Sequence, residues 1–158
     1  MIGDSAGGHL AFSVTNLALL RGFRIPDAIF SLYPVLNFDY LAFYPSILIS
    51  LDEEFMNQGV LRIATACVLR NGGNADKSCL LSPLVAPNSM VRKLPPCKIM
   101  CAEIDPLRDH SYSMALRILQ LGGSCQLILM KEFTHPWLNF YDNKVLGAKE
   151  YSRGKQLL

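Results

Sequence analysis

The sequence predicts an α/β fold, a mostly parallel, doubly wound sheet, and three observations carry that expectation. Short apolar runs of strand length alternate with stretches of helical periodicity. Gly or Pro closes most of these segments. The composition is apolar, with 51% hydrophobic and 18% charged residues, as a buried sheet covered by helices requires.

The elements follow in order. Residues 6–20 place Leu10, Val14, Leu17 and Leu20 at helical spacing, and Gly22 stops the helix. Residues 28–33 form an apolar run ended by Pro34, which suits a buried parallel strand. Residues 35–51 are irregular and aromatic. Residues 52–70 read as a helix with acidic residues in its first turn, closing at Asn71-Gly72-Gly73. A polar loop carrying Pro83, Pro87, Pro95 and Pro96 leads to a strand at 97–102. A helix at 108–121 stops at Gly122-Gly123, a strand follows at 125–130, and a weaker helical pattern covers 141–153. Only Met1 and Ile2 stand where a strand should precede the first helix. The 158 residues are therefore expected to form one partial domain, the C-terminal portion of its sheet.

Bulk properties narrow the function classes. A formal charge of +2 with scattered Lys and Arg makes no nucleic-acid footprint. The most apolar stretch, 41–51, is too short for a membrane span and is cut by Pro45. The N-terminus has no basic region or apolar run of a signal peptide. Cys67, Cys79, Cys97, Cys101 and Cys125 are odd in number and lack metal-type spacing with His. Cys97 and Cys101 read as reduced core thiols on one strand, which makes an intracellular, cytoplasmic protein the expectation.

Chemistry concentrates in Gly3-Asp4-Ser5-Ala6-Gly7-Gly8. A G-x-S-x-G turn between strand and helix lifts a serine hydroxyl to the sheet edge, with flanking glycines where a Cβ would collide. The N–H of Ala6, at the helix N-terminus, is placed to stabilise an oxyanion. Serine needs a base. Of three histidines, His9 lies in the same helix with its ring directed away from the elbow, and suits packing. His110 opens a later helix and suits a solvated or capping role. His135 follows the last apolar strand, at the end where parallel sheets build sites, and is the expected base. For the orienting acid, Asp105 follows the preceding strand and is held extended by Pro106; Asp109 falls in a first helical turn and Glu103 is still on the strand. The order Ser5, Asp105, His135 is that of α/β-hydrolases.

The chain is similar to the hormone-sensitive lipase family of α/β-hydrolases. The elbow, then Leu81-Ser82-Pro83-Leu84, Leu94-Pro95-Pro96 and Asp105-Pro106-Leu107-Arg108-Asp109 match its blocks in order, from the first residues to about Phe140. Tyr33-Pro34 and the stretch 45–51 resemble the animal type more than the bacterial esterases. The resemblance implies hydrolysis of carboxylic esters, acylglycerols or steryl esters among them, by Ser5, Asp105 and His135 without a cofactor. It also implies association with lipid droplets or membrane surfaces. Pro136 stands where the family usually has Gly, and His9 where it often has Asn. The family's His-Gly-Gly-Gly loop, first strands and cap lie upstream of the matched part, so these residues alone are expected to show little or no esterase activity. A ligand-binding module on this scaffold, like the plant hormone receptors, or a fragment with another role, is the alternative. Retention of all three residue types argues against the receptor reading.

Overall fold

A computed structural model describes residues 1–39, 42–53, 55–135 and 137–139. The helix expected at 141–153, and any effect of Pro136 on its neighbour, lie outside the described residues.

Four parallel strands form the sheet in chain order: β1 (Ile2–Asp4), β2 (Ile29–Leu32), β3 (Cys97–Ile104) and β4 (Cys125–Thr134). Helix α1 (Ala6–Arg21) joins β1 to β2 and ends at the left-handed Gly22. The long β2–β3 crossover carries α2 (Ser46–Ile49), α3 (Gln58–Leu69), a 3₁₀ turn at Pro83–Val85 and α4 (Asn88–Val91). Helix α5 (Arg108–Gln120) joins β3 to β4, and a 3₁₀ turn at Trp137–Asn139 follows.

Strand alternation sorts the core into two layers. Ile29, Cys97 and Ile99 pack with Ala11 and Phe12 of α1 and with Met114, Ala115 and Ile118 of α5. Helices α1 and α5 therefore share one face, as successive crossovers of one hand between sequential strands require. The other face carries Leu32, Met100, Ala102 and Met130 under Tyr33, Phe133 and Trp137. Helices were expected on both faces; among the described residues the second face is covered by these aromatic side chains.

Local chemistry corrects three boundaries. Helix α3 begins at Gln58 rather than near Asp52, because the Asn57 side chain accepts the Val60 N–H at 3.1 Å and caps it. The upstream acid Glu53 is buried and accepts the Met56 N–H instead. Strands β3 and β4 run two and four residues beyond their expected ends, and the extra length of β4 includes a bulge.

Helix α1 is bolted to the crossover by one polar face. His9, Ser13 and Asn16, at helical spacing, bond the successive carbonyls of Leu81, Leu80 and Cys79 at 3.0, 2.7 and 3.0 Å. Cys97 and Cys101 are buried and free, as expected, and burial pushes both thiols up to about 12.

Candidate active site

The elbow is strained at its serine. Ser5 has φ 49° and ψ −114°, outside the regions an L-residue favours, and its N–H donates to the Leu32 carbonyl at 2.9 Å. Serine is a favoured N-cap, yet the Ser5 hydroxyl makes no cap bond to α1. Its carbonyl takes the His9 N–H at 3.0 Å and starts the helix.

Two glycines make the turn. A Cβ on Gly3 would lie 2.3 Å from the Gly7 carbonyl oxygen, and one on Gly8 would lie 2.5 Å from Ser31 Oγ and 2.9 Å from Pro34 Cβ. Gly7 was expected to share this constraint, but the nearest atom to a Cβ there is 3.8 Å away. The close packing of helix on strand falls at Gly8, one residue past the motif.

The freed hydroxyl turns to His135. Ser5 Oγ lies 2.9 Å from His135 Nε2, and His135 Nδ1 lies 2.9 Å from Asp105 Oδ2. A carboxylate only accepts, so Nδ1 carries the proton and Nε2 is left to accept from the hydroxyl. Asp105 and His135 are buried, whereas Ser5 is half-buried and Ala6 is exposed. The other carboxylate oxygen of Asp105 accepts the Leu107 N–H at 2.8 Å, and its backbone carbonyl accepts that of Arg108, so the same residue shapes the entry to α5. Ala6 opens α1, where backbone N–H groups have no acceptor one turn earlier and the helix dipole is positive.

Tyr33, which the sequence reasoning gave no place in the site, borders the imidazole. Its ring meets His135 edge-on at 4.8 Å and Trp137 at 5.9 Å. The Tyr33 hydroxyl donates to Asp4 Oδ2 at 3.4 Å, and burial, then the charge of Asp4, push its proton affinity up. The apolar run ending at Pro34 marked this residue as the end of a strand, without revealing its neighbour.

The remaining candidates separate. Asp109 accepts the Ser46 N–H at 2.8 Å and pairs with Arg108 at 3.1 Å, a structural part as expected. Glu103 lies on β3, also as expected. His9 packs, with its ring edge-on to Phe38 at 5.2 Å, and desolvation lowers its pKa. His110 is neither solvated nor capping: it is buried, accepts the Leu36 N–H at 3.4 Å and meets Tyr44 edge-on at 4.4 Å. Burial, partly opposed by Asp109, lowers its pKa to about 4. An open surface hollow of about 460 Å³, lined by Tyr44, Pro45, Arg108, Asp109, Tyr112 and Ser113, contains neither Ser5, Asp105 nor His135. Among the described residues no group of three or more His, Cys, Asp or Glu could hold a metal ion.

Fold and motif together define the class: the chain belongs to the α/β-hydrolase-fold family, whose model matches residues 1–139. Among individual relatives, it is 30% identical to carboxylesterase NlhH of Mycobacterium tuberculosis over 154 residues, 96% of this chain and 47% of that protein. It is 37% identical to human hormone-sensitive lipase over 62 residues, 39% of this chain and 6% of that protein. The fold is similar to carboxyl esterase 2 of the fungus Tuber melanosporum, with a TM-score of 0.86 and 21% identity, over 99% of this chain and 50% of that one. The chain thus spans about half the length of the two esterases. The animal-type lipase resemblance narrows to that 62-residue match, while the esterase likeness runs almost end to end.

Proposed function

We propose that the chain carries the catalytic residues of a serine carboxylic ester hydrolase, with Ser5 as nucleophile, His135 as general base and Asp105 as the orienting acid. The observation that carries this reading is the unbroken relay from a strained, half-buried serine to a buried imidazole and carboxylate, with both links at 2.9 Å. His135 Nε2 takes the Ser5 proton as Oγ bonds to the ester carbonyl carbon. Negative charge then collects on the carbonyl oxygen, where the Ala6 N–H donates. The imidazolium, stabilised by Asp105, returns its proton to the departing alcohol oxygen as the ester C–O bond breaks. Water, deprotonated by His135, next attacks the acyl-serine, and the proton goes back to Ser5 as the acid leaves.

Lipid esters, acylglycerols among them, are the proposed substrates, supported by the likeness to hormone-sensitive lipase. A cytoplasmic site at a lipid-droplet or membrane surface belongs to the same proposal. The rest of the oxyanion hole and the acyl pocket are proposed to come from a preceding part of the domain, because esterases of this fold are about twice as long. These residues alone should turn over esters poorly, since losing an oxyanion donor costs about 100- to 1000-fold.

Covalent labelling by a fluorophosphonate probe tests the assignment, because one slow event per molecule is enough to detect it. The folded chain should take one label, and Ser5→Ala should take none. A folded chain that stays unlabelled would overturn the enzyme reading and leave a non-catalytic module on a hydrolase scaffold.

A further inference from the structure

The registers of β3 and β4 change just before the site. Ala102 faces Met130, but Ile104 faces Thr134, so Lys131, Glu132 and Phe133 all stand opposite the single residue Glu103. Two extra residues of β4 are taken up in this bulge. Continued past Ile104 and Thr134, the shifted register sets Asp105 beside His135, consistent with their 2.9 Å bond. In the register that holds up to Ala102, Asp105 would face Phe133 and His135 would lie two residues beyond.

The bulge turns on Glu132, a non-glycine residue at φ 67°. That conformation is unfavourable for glutamate and takes its N–H out of the strand ladder. Glu103 Oε2 accepts that N–H at 2.9 Å. The Glu103 backbone is held in turn, its carbonyl accepting Arg108 Nη1 at 3.3 Å while Arg108 Nε pairs with Asp109.

We propose that Glu103 is a positioning residue: its carboxylate pins the left-handed turn at Glu132 and so keeps the bulge that brings His135 opposite Asp105. Glu103 touches neither Ser5 nor His135 and acts only through the β4 backbone. The proposal rests on the hydrolase reading only for the consequence it has on Ser5.

Two variants of the full chain separate reach from charge. Glu103→Gln keeps an oxygen at the same distance without the charge, and Glu103→Asp keeps the charge but is one methylene short. Glu103→Gln should label with the fluorophosphonate within about threefold of wild type, the acceptor being weaker but present. Glu103→Asp should label about 10- to 100-fold more slowly, as misplacement of a catalytic group by about an ångström does. The far-downfield NMR resonance of the His135 Nδ1 proton held by Asp105 should persist in the first variant and broaden or vanish in the second. Adding Glu132→Gly to Glu103→Asp should restore much of both signals, since glycine holds a positive φ without a pin.

Equal labelling and an unchanged resonance in Glu103→Asp would overturn the proposal, as would loss in Glu103→Gln with retention in Glu103→Asp. Thermal melting of each sample distinguishes a displaced histidine, with a retained transition, from general unfolding, which would also count against it. If the wild-type chain takes no label, the hydrolase reading fails alone and the resonance still decides the role of Glu103.

Discussion

A methyl group on Gly3 would stand 2.3 Å from a backbone oxygen that cannot rotate away, so the strand end or the first turn of α1 must move. Gly3→Ala is expected to cost about 1–3 kcal/mol, as overpacking does, and to abolish labelling of Ser5. Gly7→Ala, where a Cβ makes only ordinary contact, should leave labelling intact and stabilise by no more than about 1 kcal/mol. Chemical denaturation of the two variants beside wild type checks this contrast. At the acid, Asp105→Asn keeps an oxygen for the Leu107 N–H but would turn an amide donor toward Nδ1 and favour the wrong tautomer. Its labelling rate should fall about 10,000-fold with little loss of fold, measured by labelling kinetics and circular dichroism. Ser5 was marked by its glycine-flanked motif, and Asp105 and His135 could be placed near it because each follows an apolar run, and runs of that kind end at one edge of a parallel sheet. Tyr33 was not legible as a neighbour of His135, since that contact crosses from β2 to the far end of β4.

Helix α5 carries a buried acid-labile joint. His110 accepts the Leu36 N–H and so ties α5 to the chain leaving β2. Folded, it stays neutral down to about pH 4, whereas in the unfolded chain it takes a proton near its ordinary value of 6.5. The unfolded state therefore binds the extra proton first. Stability should be full above about pH 6.5, fall as the pH drops, and stop falling near pH 4, by about 3 kcal/mol in all. His9, also lowered by burial, acts in the same direction. Urea midpoints at pH 7 and pH 5 measure the loss, and His110→Gln should flatten it. Nothing local foretold this burial: a histidine one turn into a helix reads as solvated until the β2–β3 crossover is laid over it. The strands were legible because parallel strands buried on both faces read as unbroken apolar runs. The bulge was not, because it depends on one side chain of β3 meeting one backbone N–H of β4. The onset of α3 was missed for a related reason, as acidic residues near a helix start were read as its first turn when Asn57 provides the cap.

Among the described residues, the strand next to the serine turn lies at one side of the four-stranded sheet. Strand β1 has β2 on one side, Met1 and Ile2 are exposed along it, and Leu10, Val14 and Leu17 are exposed on the adjoining helix. Apolar surface beside open backbone groups favours association. Light scattering should show the isolated chain self-associating as its concentration rises, and Ile2→Lys with Val14→Lys should suppress this. Sheet order matters to the site at this scale as well, because the contact from Ser5 to His135 joins the ends of β1 and β4, the first and last of the four described strands. The backbone of Ser5 holds an angle that glycine would adopt freely, so Ser5→Gly should relieve strain of about 1–3 kcal/mol. Stability and use therefore pull this codon in opposite directions. If Ser5 is the nucleophile as proposed, the strained angle is what its use costs in stability, and a change to glycine at position 5 would trade that use for stability.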